Sequence, residues 1–387
     1  MTWIPFVVLA LVVSIAFGAT RLLRIPGPLT LIRLACTRPS RSGVCLPARE
    51  VPASQRPAPL THEPRPLPEH VPWKGGHIPI ETFLDLTHTR ALLVLRDGAV
   101  SYEWYAAGIG PSTPLSSWSV AKAIVSLMVG QAIAEGKLRD YDRLTTLLPQ
   151  LRTGGDYDQI TVTHLLDMAS GIDVPEDISR RRPLTGTARM YLTRDLPDFL
   201  QRHRSLEFAV GSQGAYRSVN TELLGQILAH VEAEPLAQLL YRRLWDPIGA
   251  QDPARWNLDR PGGSEKAFCG INATARDFAK IGQLVLDDGR VGTRQVVPTT
   301  WIRRISTPAP HPVDGWGYSA QWWHPLDADH ADYTALGIHG QYIYVDPATR
   351  TVIVKLSDHG AEQDELDTVH AFRAIAEDTY TPMSRRS

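Results

Sequence analysis

Strand-like sequence stands at both ends of this chain's patterned region, with helix-like sequence between, and that order limits the possible folds more than any other feature. Residues 91–95 (ALLVL) and 99–105 (AVSYEWY) flank Arg96-Asp97-Gly98, and Asp-Gly between two strand-like runs predicts a hairpin. Far along the chain, residues 341–345 (QYIYV) and 351–357 (TVIVKLS) flank a five-residue turn segment, 346–350, and predict a second hairpin. Residues 318–323 (YSAQWW) predict one further strand. Between them, residues 119–135 place Ile124, Leu127, Met128 and Ala132 on one helical face and stop at Gly136. Helical patterns recur over 161–169, 221–232 and 273–288, and 365–380 reads as a closing helix. Strands from the two ends can share a core only by meeting in one sheet. The expected class is α+β: an antiparallel sheet built from both ends of the domain, flanked by helices, with a mostly helical insertion at about 140–235.

Ahead of this domain, expected over 76–387, the chain reads differently. Met1 to Thr20 carry no charged side chain, close to the ~20 apolar residues that cross a bilayer. No Lys or Arg precedes the run, as a signal peptide would require, so 1–20 is expected to be an uncleaved transmembrane anchor. Residues 21–75 hold eleven prolines (26, 28, 39, 47, 52, 57, 59, 64, 66, 68 and 72). Such a stretch disfavours long helices and reads as a stalk, in part packed on the domain. Cys36 and Cys45 both fall in it and are close enough in sequence to pair in an oxidising compartment.

Composition excludes several functions. Forty basic residues against forty-one acidic ones, a formal net charge of −1, give no bulk attraction for nucleic acid. Three cysteines in 387 residues are too few for a disulfide scaffold. Ten tryptophans and a 43% hydrophobic content do not suit a disordered chain.

The chemistry is carried by Ser119-Val120-Ala121-Lys122 at the start of the first predicted helix. Residues i and i+3 share a helix face, so a hydroxyl and an amine are brought together where the helix N-terminus favours a developing alkoxide. A serine needs a neighbour to take its proton, and a lysine can do so only if burial or a nearby cation lowers its pKa. Alone, S-x-x-K is a weak signal, since a capping serine and a solvated lysine fall at that spacing by chance. Other candidates read as structural. Ser170-Gly171 after His164 fits a helix end, Cys269 a buried thiol, and Asp327, Asp329, His330 and Asp332 a solvated acidic loop with no zinc motif. Trp316, Trp322 and Trp323 fit either a cleft wall or the core. There is no G-x-S-x-G nucleophile elbow.

Taken with other segments, the motif resembles the serine hydrolases of the class C β-lactamase and penicillin-binding-protein superfamily, in particular the six-aminohexanoate-oligomer hydrolase branch. Ser119 to Lys122 resembles the first box of that family, and Thr161 to Gly171 its I-T-V-x-x-L-L-x-x-x-S-G segment. Tyr216-Arg217-Ser218 followed by Leu223-Leu224-Gly225 resembles the second box, and Phe268 to Asp277 a segment of the branch. Gly337-Ile338-His339-Gly340-Gln341 resembles the third box. Two departures stand out: the second box lacks the Asn of Tyr-x-Asn, and the third lacks the Lys of Lys-Thr-Gly. Both weaken a β-lactamase assignment and leave acyl hydrolysis intact.

The resemblance implies Ser119 as nucleophile and Lys122 as its base, or as the partner that keeps Tyr216 a phenolate base. It implies Tyr216 as proton donor to the leaving group, and the backbone N–H groups of Ser119 and Ile338 as oxyanion donors. His339 is a candidate for touching substrate. No cofactor and no metal are expected, and the substrate is expected to be a small amide or ester. Two rival readings stay open: a D,D-peptidase or β-lactam-binding protein, and a catalytically idle, membrane-tethered binding module. The sidedness of the anchor is also open. Arg21, Arg24 and Arg33 after the apolar run favour a cytoplasmic domain, whereas the resemblance favours an extracytoplasmic, periplasmic one, which is the expectation adopted. Oligomeric state is not legible.

Overall fold

A computed structural model describes residues 4–176, 184–326, 330–360 and 364–378. Seven strands form its main sheet: β1 (Thr89–Arg96), β2 (Ala99–Tyr105), β3 (Gly317–Ser319), β4 (Trp322–His324), β5 (Tyr333–Gly337), β6 (Gln341–Asp346) and β7 (Thr351–Ser357). Their spatial order is β3-β4-β5-β6-β7-β1-β2, and every neighbouring pair is antiparallel. The two ends of the domain meet where β7 pairs with β1, Val352 opposite Leu95 and Val354 opposite Leu93. Helices flank this antiparallel sheet, the α+β arrangement expected from the sequence.

Local chemistry explains the hairpins. Asp97 and Gly98 both have positive φ, 48° and 84°, as a two-residue turn between right-twisting strands requires. The predicted strand over 318–323 is instead two short strands, β3 and β4. Ala320 and Gln321 between them adopt positive φ, 44° and 74°. Side-chain partners distant in sequence hold that turn: Asp167 Oδ1 accepts Ala320 N–H at 2.9 Å, and Gln321 Nε2 donates to the Leu166 carbonyl at 2.9 Å.

Six helices matter below: α1 (Ile4–Leu22), α2 (Pro28–Cys36), α3 (Val120–Ala134), α4 (Ser218–Glu232), α5 (Ala275–Leu286) and α6 (Glu365–Glu377). Helix α3 is largely apolar and buried from Val120 to Ala132, as befits a central helix. It reaches this position because its small residues admit close neighbours. A Cβ on Gly130 would lie 2.2 Å from the Trp301 ring. Helix α5 packs on the sheet through Gly282, where a Cβ would meet Val352 Cγ1 at 2.5 Å.

The N-terminal region differs from expectation. Among the described residues, no helix is long and apolar enough to cross a membrane. The expected anchor over 1–20, the membrane partner and the membrane-anchored localisation are therefore corrected. Helix α1 does form, but Arg21 enters its last turn, and the chain beyond it is tied to the domain at once. Arg189 donates to the Leu23 carbonyl at 2.6 Å, Arg194 N–H to the Arg24 carbonyl at 2.8 Å, and Arg24 pairs with Asp198 at 2.9 Å.

Residues 21–75, read from the sequence as a stalk packed in part on the domain, contact it at several points. After α2 and a 3-10 turn over Pro39–Cys45, the strand Ala48–Val51 pairs antiparallel with Ala254–Asn257. Glu63 and Arg65 N–H then bond the carbonyls of Val100 and Ser101. Ser54 and Ala58 N–H likewise bond the carbonyls of Ala250 and Gly249, so the proline-rich stretch is pinned to the domain surface at several points. Cys36 and Cys45 are free thiols, the first exposed and the second buried.

The tight seat of α3 generates a stability prediction. Gly130→Ala should destabilise the protein by about 1–3 kcal/mol through overpacking against Trp301, read as a lowered midpoint in urea unfolding. An unchanged midpoint would mean that α3 is not held against that ring.

Candidate active site

Ser119 is the first residue before α3, helical in backbone (φ −68°, ψ −9°) and half-buried. The chain is turned into it by Trp118, which sits at φ 46°, a left-handed conformation uncommon for a bulky side chain. Three contacts hold that residue. Its indole N–H donates to the Pro39 carbonyl at 3.0 Å, its ring stacks on Tyr191 at 5.5 Å, and it meets the His339 ring edge-on at 4.7 Å.

One turn into α3, Lys122 is only 1% exposed. Its Nζ lies 2.8 Å from Ser119 Oγ and 3.0 Å from the Phe268 carbonyl, and 4.9 Å from the centre of the Tyr216 ring. Burial lowers its pKa from the ordinary lysine value to about 8, opposed by the negative charge of Glu176. Tyr216 completes the group, its ring lying under the Lys122 amine. Its ring packs 5.1 Å from Trp323 and 6.3 Å from Tyr318. Burial and the Glu176 charge push the phenol well above its usual pKa, so Tyr216 stands in its neutral, proton-donating form.

Segment 268–274 supplies the Lys122 acceptor and braces the turn before Ser119. Ser117 N–H donates to the Ile271 carbonyl at 2.7 Å, and Ser116 Oγ to Asn272 Oδ1 at 2.6 Å. On the other side runs the end of β5. A Cβ on Gly337 would lie 3.1 Å from the Ser117 carbonyl and 2.7 Å from Gln341 Oε1, so glycine lets this strand edge come against the turn before Ser119. Among the described residues, neither Ser119 nor Ile338 N–H is engaged by a backbone carbonyl. His339 N–H is taken by Gln341 Oε1 at 3.1 Å, and His339 Nδ1 lies 3.0 Å from the His359 carbonyl.

The family described as Beta-lactamase matches residues 87–376. The chain belongs to the β-lactamase family. A 6-aminohexanoate-dimer hydrolase from Paenarthrobacter ureafaciens is 31% identical over 295 residues, 72% of this chain and 74% of that protein. A solved structure described as a 6-aminohexanoate-dimer hydrolase from Bacillus anthracis aligns with TM-score 0.77 at 24% identity, over 86% of this chain and 90% of that one. A class C β-lactamase from Rhodobacter sphaeroides aligns with TM-score 0.56 at 17% identity, over 76% and 96%. These two structures share the fold with this β-lactamase-family serine hydrolase.

Other sequence candidates fall into structural roles. Ser170 Oγ bonds Asn220 Oδ1 at 2.5 Å, and His164 closes a helix cap with Thr161. Burial raises the Cys269 thiol to about 12. Trp322 is fully buried, whereas Trp316 and Trp323 line a cavity of about 280 Å³ with Asp314 and Leu336. Asp327 and Asp329 lie outside the described residues, and Asp332 pairs with Arg373 at 2.9 Å. Among the described residues, no group of three or more His, Cys, Asp or Glu is placed to hold a metal ion.

Glu176 was missed by sequence reasoning, and nothing local marks it. It accepts from Ser218 N–H at 2.8 Å, Ser218 Oγ at 2.6 Å and Thr187 Oγ1 at 2.8 Å. Ser218, two positions beyond Tyr216 where the family's second box carries Asn, is thus bound to this carboxylate at the start of α4.

Gly337→Ala is expected to lower turnover by about 10- to 100-fold through displacement of the strand edge beside Ser119, measured as kcat on any substrate the wild type turns over. A variant with wild-type kcat would show that the close approach has no part in positioning.

Proposed function

We propose that the protein hydrolyses amide or ester bonds through an acyl-enzyme on Ser119. The observation that carries this reading is the buried Lys122 amine 2.8 Å from Ser119 Oγ, with a pKa near 8. A neutral Lys122 takes the Ser119 proton as Oγ attacks the substrate carbonyl carbon. The carbonyl oxygen becomes an oxyanion facing the Ser119 and Ile338 N–H groups. As the intermediate collapses, the bond to the leaving nitrogen or oxygen breaks, Tyr216 donates its phenolic proton to that atom, and the Lys122 ammonium returns a proton to Tyr216. Water then attacks the ester on Ser119, giving up its proton through the same pair, and releases the acid. The raised pKa of Tyr216 supports Lys122, rather than a Tyr216 phenolate, as the base in the free enzyme. The 6-aminohexanoate-dimer hydrolase relative supports an amide-type substrate.

Fluorophosphonate labelling tests the nucleophile. Intact mass is expected to show one adduct on the wild type and none on Ser119→Ala, and labelling that persists in the variant would refute the assignment.

Because the base must be neutral, kcat/KM is expected to rise with pH through about 8 and to be roughly tenfold below its plateau at pH 7. Glu176→Gln removes a charge that raises the Lys122 pKa, so the rising limb should move to lower pH. A limb that stays in place or moves upward would contradict the electrostatic role given to Glu176.

Tyr216→Phe should cost about 10²- to 10⁴-fold on an alkyl amide and clearly less on a p-nitrophenyl ester, whose leaving group departs without a proton. Equal losses on both substrates would argue against Tyr216 as the leaving-group acid.

A further inference from the structure

Glu222 is a buried carboxylic acid that the reaction proposed above does not use. It stands on α4, beyond Tyr216, and is 0% exposed. Its Oε2 accepts the Ala267 N–H at 2.9 Å, and its Oε1 accepts from Gln226 Nε2 at 2.9 Å. We propose that Glu222 is a positioning residue for the base: by holding Ala267 it sets the 266–269 turn so that the Phe268 carbonyl meets the Lys122 amine. The inference rests on the acyl-enzyme reading above and adds to it how the base is kept in place beside Ser119.

The turn is gripped on one side and used on the other. The Lys266 carbonyl accepts Cys269 N–H at 3.1 Å, and Trp256 Nε1 donates to the carbonyls of Lys266 and Cys269 at 2.9 and 3.1 Å. These bonds fasten the two ends. Ala267 and Phe268 form the middle. The Ala267 N–H goes to Glu222, and the Phe268 carbonyl accepts from Lys122 Nζ at 3.0 Å, so the path from carboxyl to base runs through two adjacent residues. Gly225, on the same face of α4 as Glu222, lets the helix come close: a Cβ there would lie 2.3 Å from Ala267 Cβ. Because α4 starts at Ser218, just past Tyr216, one helix places both the proposed acid and the carbonyl that receives the base.

The energetics point to the site rather than to stability. Taking a carboxyl out of water is costly unless it is well paired, and both of these hydrogen-bond partners are neutral N–H donors. The Lys266 amine is nearby, but its acceptor is the Thr193 carbonyl at 3.5 Å. Burial raises the Glu222 carboxyl to about 7, against the two hydrogen bonds and the Lys266 charge. What Glu222 supplies is an acceptor aimed at one buried main-chain N–H. Protonated or ionised, it keeps an oxygen for Ala267, so the grip on the turn persists through the range in which Lys122 titrates.

The test compares three variants of the full chain, with kcat counted per site that takes fluorophosphonate on long incubation, a measure independent of how much of the sample is folded. Glu222→Gln keeps an acceptor oxygen for Ala267 once the Gln226 amide turns over. It should retain most of the wild-type kcat, with the rising limb of kcat/KM still at about 8. Glu222→Met removes the acceptor, and Gly225→Ala pushes the same turn without touching Glu222. Each should lower kcat by about 10-fold or more. Each should also move the limb to lower pH, because an ammonium deprived of the Phe268 carbonyl gives up its proton more readily. The Gln and Met variants remove the same charge, so a limb that moves only in the second reports the turn. A limb left in place by either displacing variant, or a loss in Glu222→Gln as large as in Glu222→Met, would overturn the proposal. A wild type that takes no label would instead overturn the acyl-enzyme reading on which it rests.

Discussion

The structure depends on holding one amine where water cannot reach it. Lys122 is enclosed by α3, the 268–270 turn and the Tyr216 ring, and its hydrogen bonds go to a serine hydroxyl and a main-chain carbonyl. Neither acceptor is charged, so burial outweighs the opposing influence of the more distant Glu176 carboxylate and of Cys269, and its pKa falls to about 8. Had a carboxylate stood at hydrogen-bond distance, the ammonium would be favoured and Ser119 would have no base. The same enclosure keeps Tyr216 protonated, because the medium and the Glu176 charge that disfavour a phenolate surround both groups. The proposed base and acid are thus set apart by one environment acting on groups of opposite charge type.

Positioning is done by backbone. The sheet carries Gly337 against the Ser117 carbonyl, the Ile271 carbonyl accepts from Ser117 N–H, and Trp118 is fixed in a left-handed turn by Pro39, Tyr191 and His339. Pro39 comes from the N-terminal segment, so a stretch outside the family match braces the residue next to Ser119. That segment belongs to the machinery of the domain.

The legible parts of the sequence were those fixed by short-range chemistry. Asp97-Gly98 specified its turn, Gly136 ended its helix with positive φ, and the i, i+3 spacing of Ser119 and Lys122 put hydroxyl and amine in contact. The order of Ser119, Tyr216 and Ile338 boxes gave the family, and with it a site assembled from three distant places. What stayed hidden depends on partners far along the chain. Ala320 and Gln321 turn back because Asp167 and the Leu166 carbonyl hold them, which no pattern in 318–323 reveals. Glu176 acquires meaning only through Ser218 and Thr187. The prolines of 21–75 indicated an extended chain and could not indicate that Ala254–Asn257 would pair with part of it. The apolar run near the N-terminus suggested a membrane span, and the contacts of Arg24 with Asp198 that tie its foot to the domain were not visible in composition.

The central claim concerns the ionisation of one side chain, and it is tested most directly by titrating Lys122. Heteronuclear NMR on the lysine-labelled protein, with the signal assigned by its absence in Lys122→Met, should give a midpoint near 8. A midpoint at the ordinary lysine value of about 10.5 would leave the amine charged throughout the working range. The account of how Ser119 is activated would then be wrong.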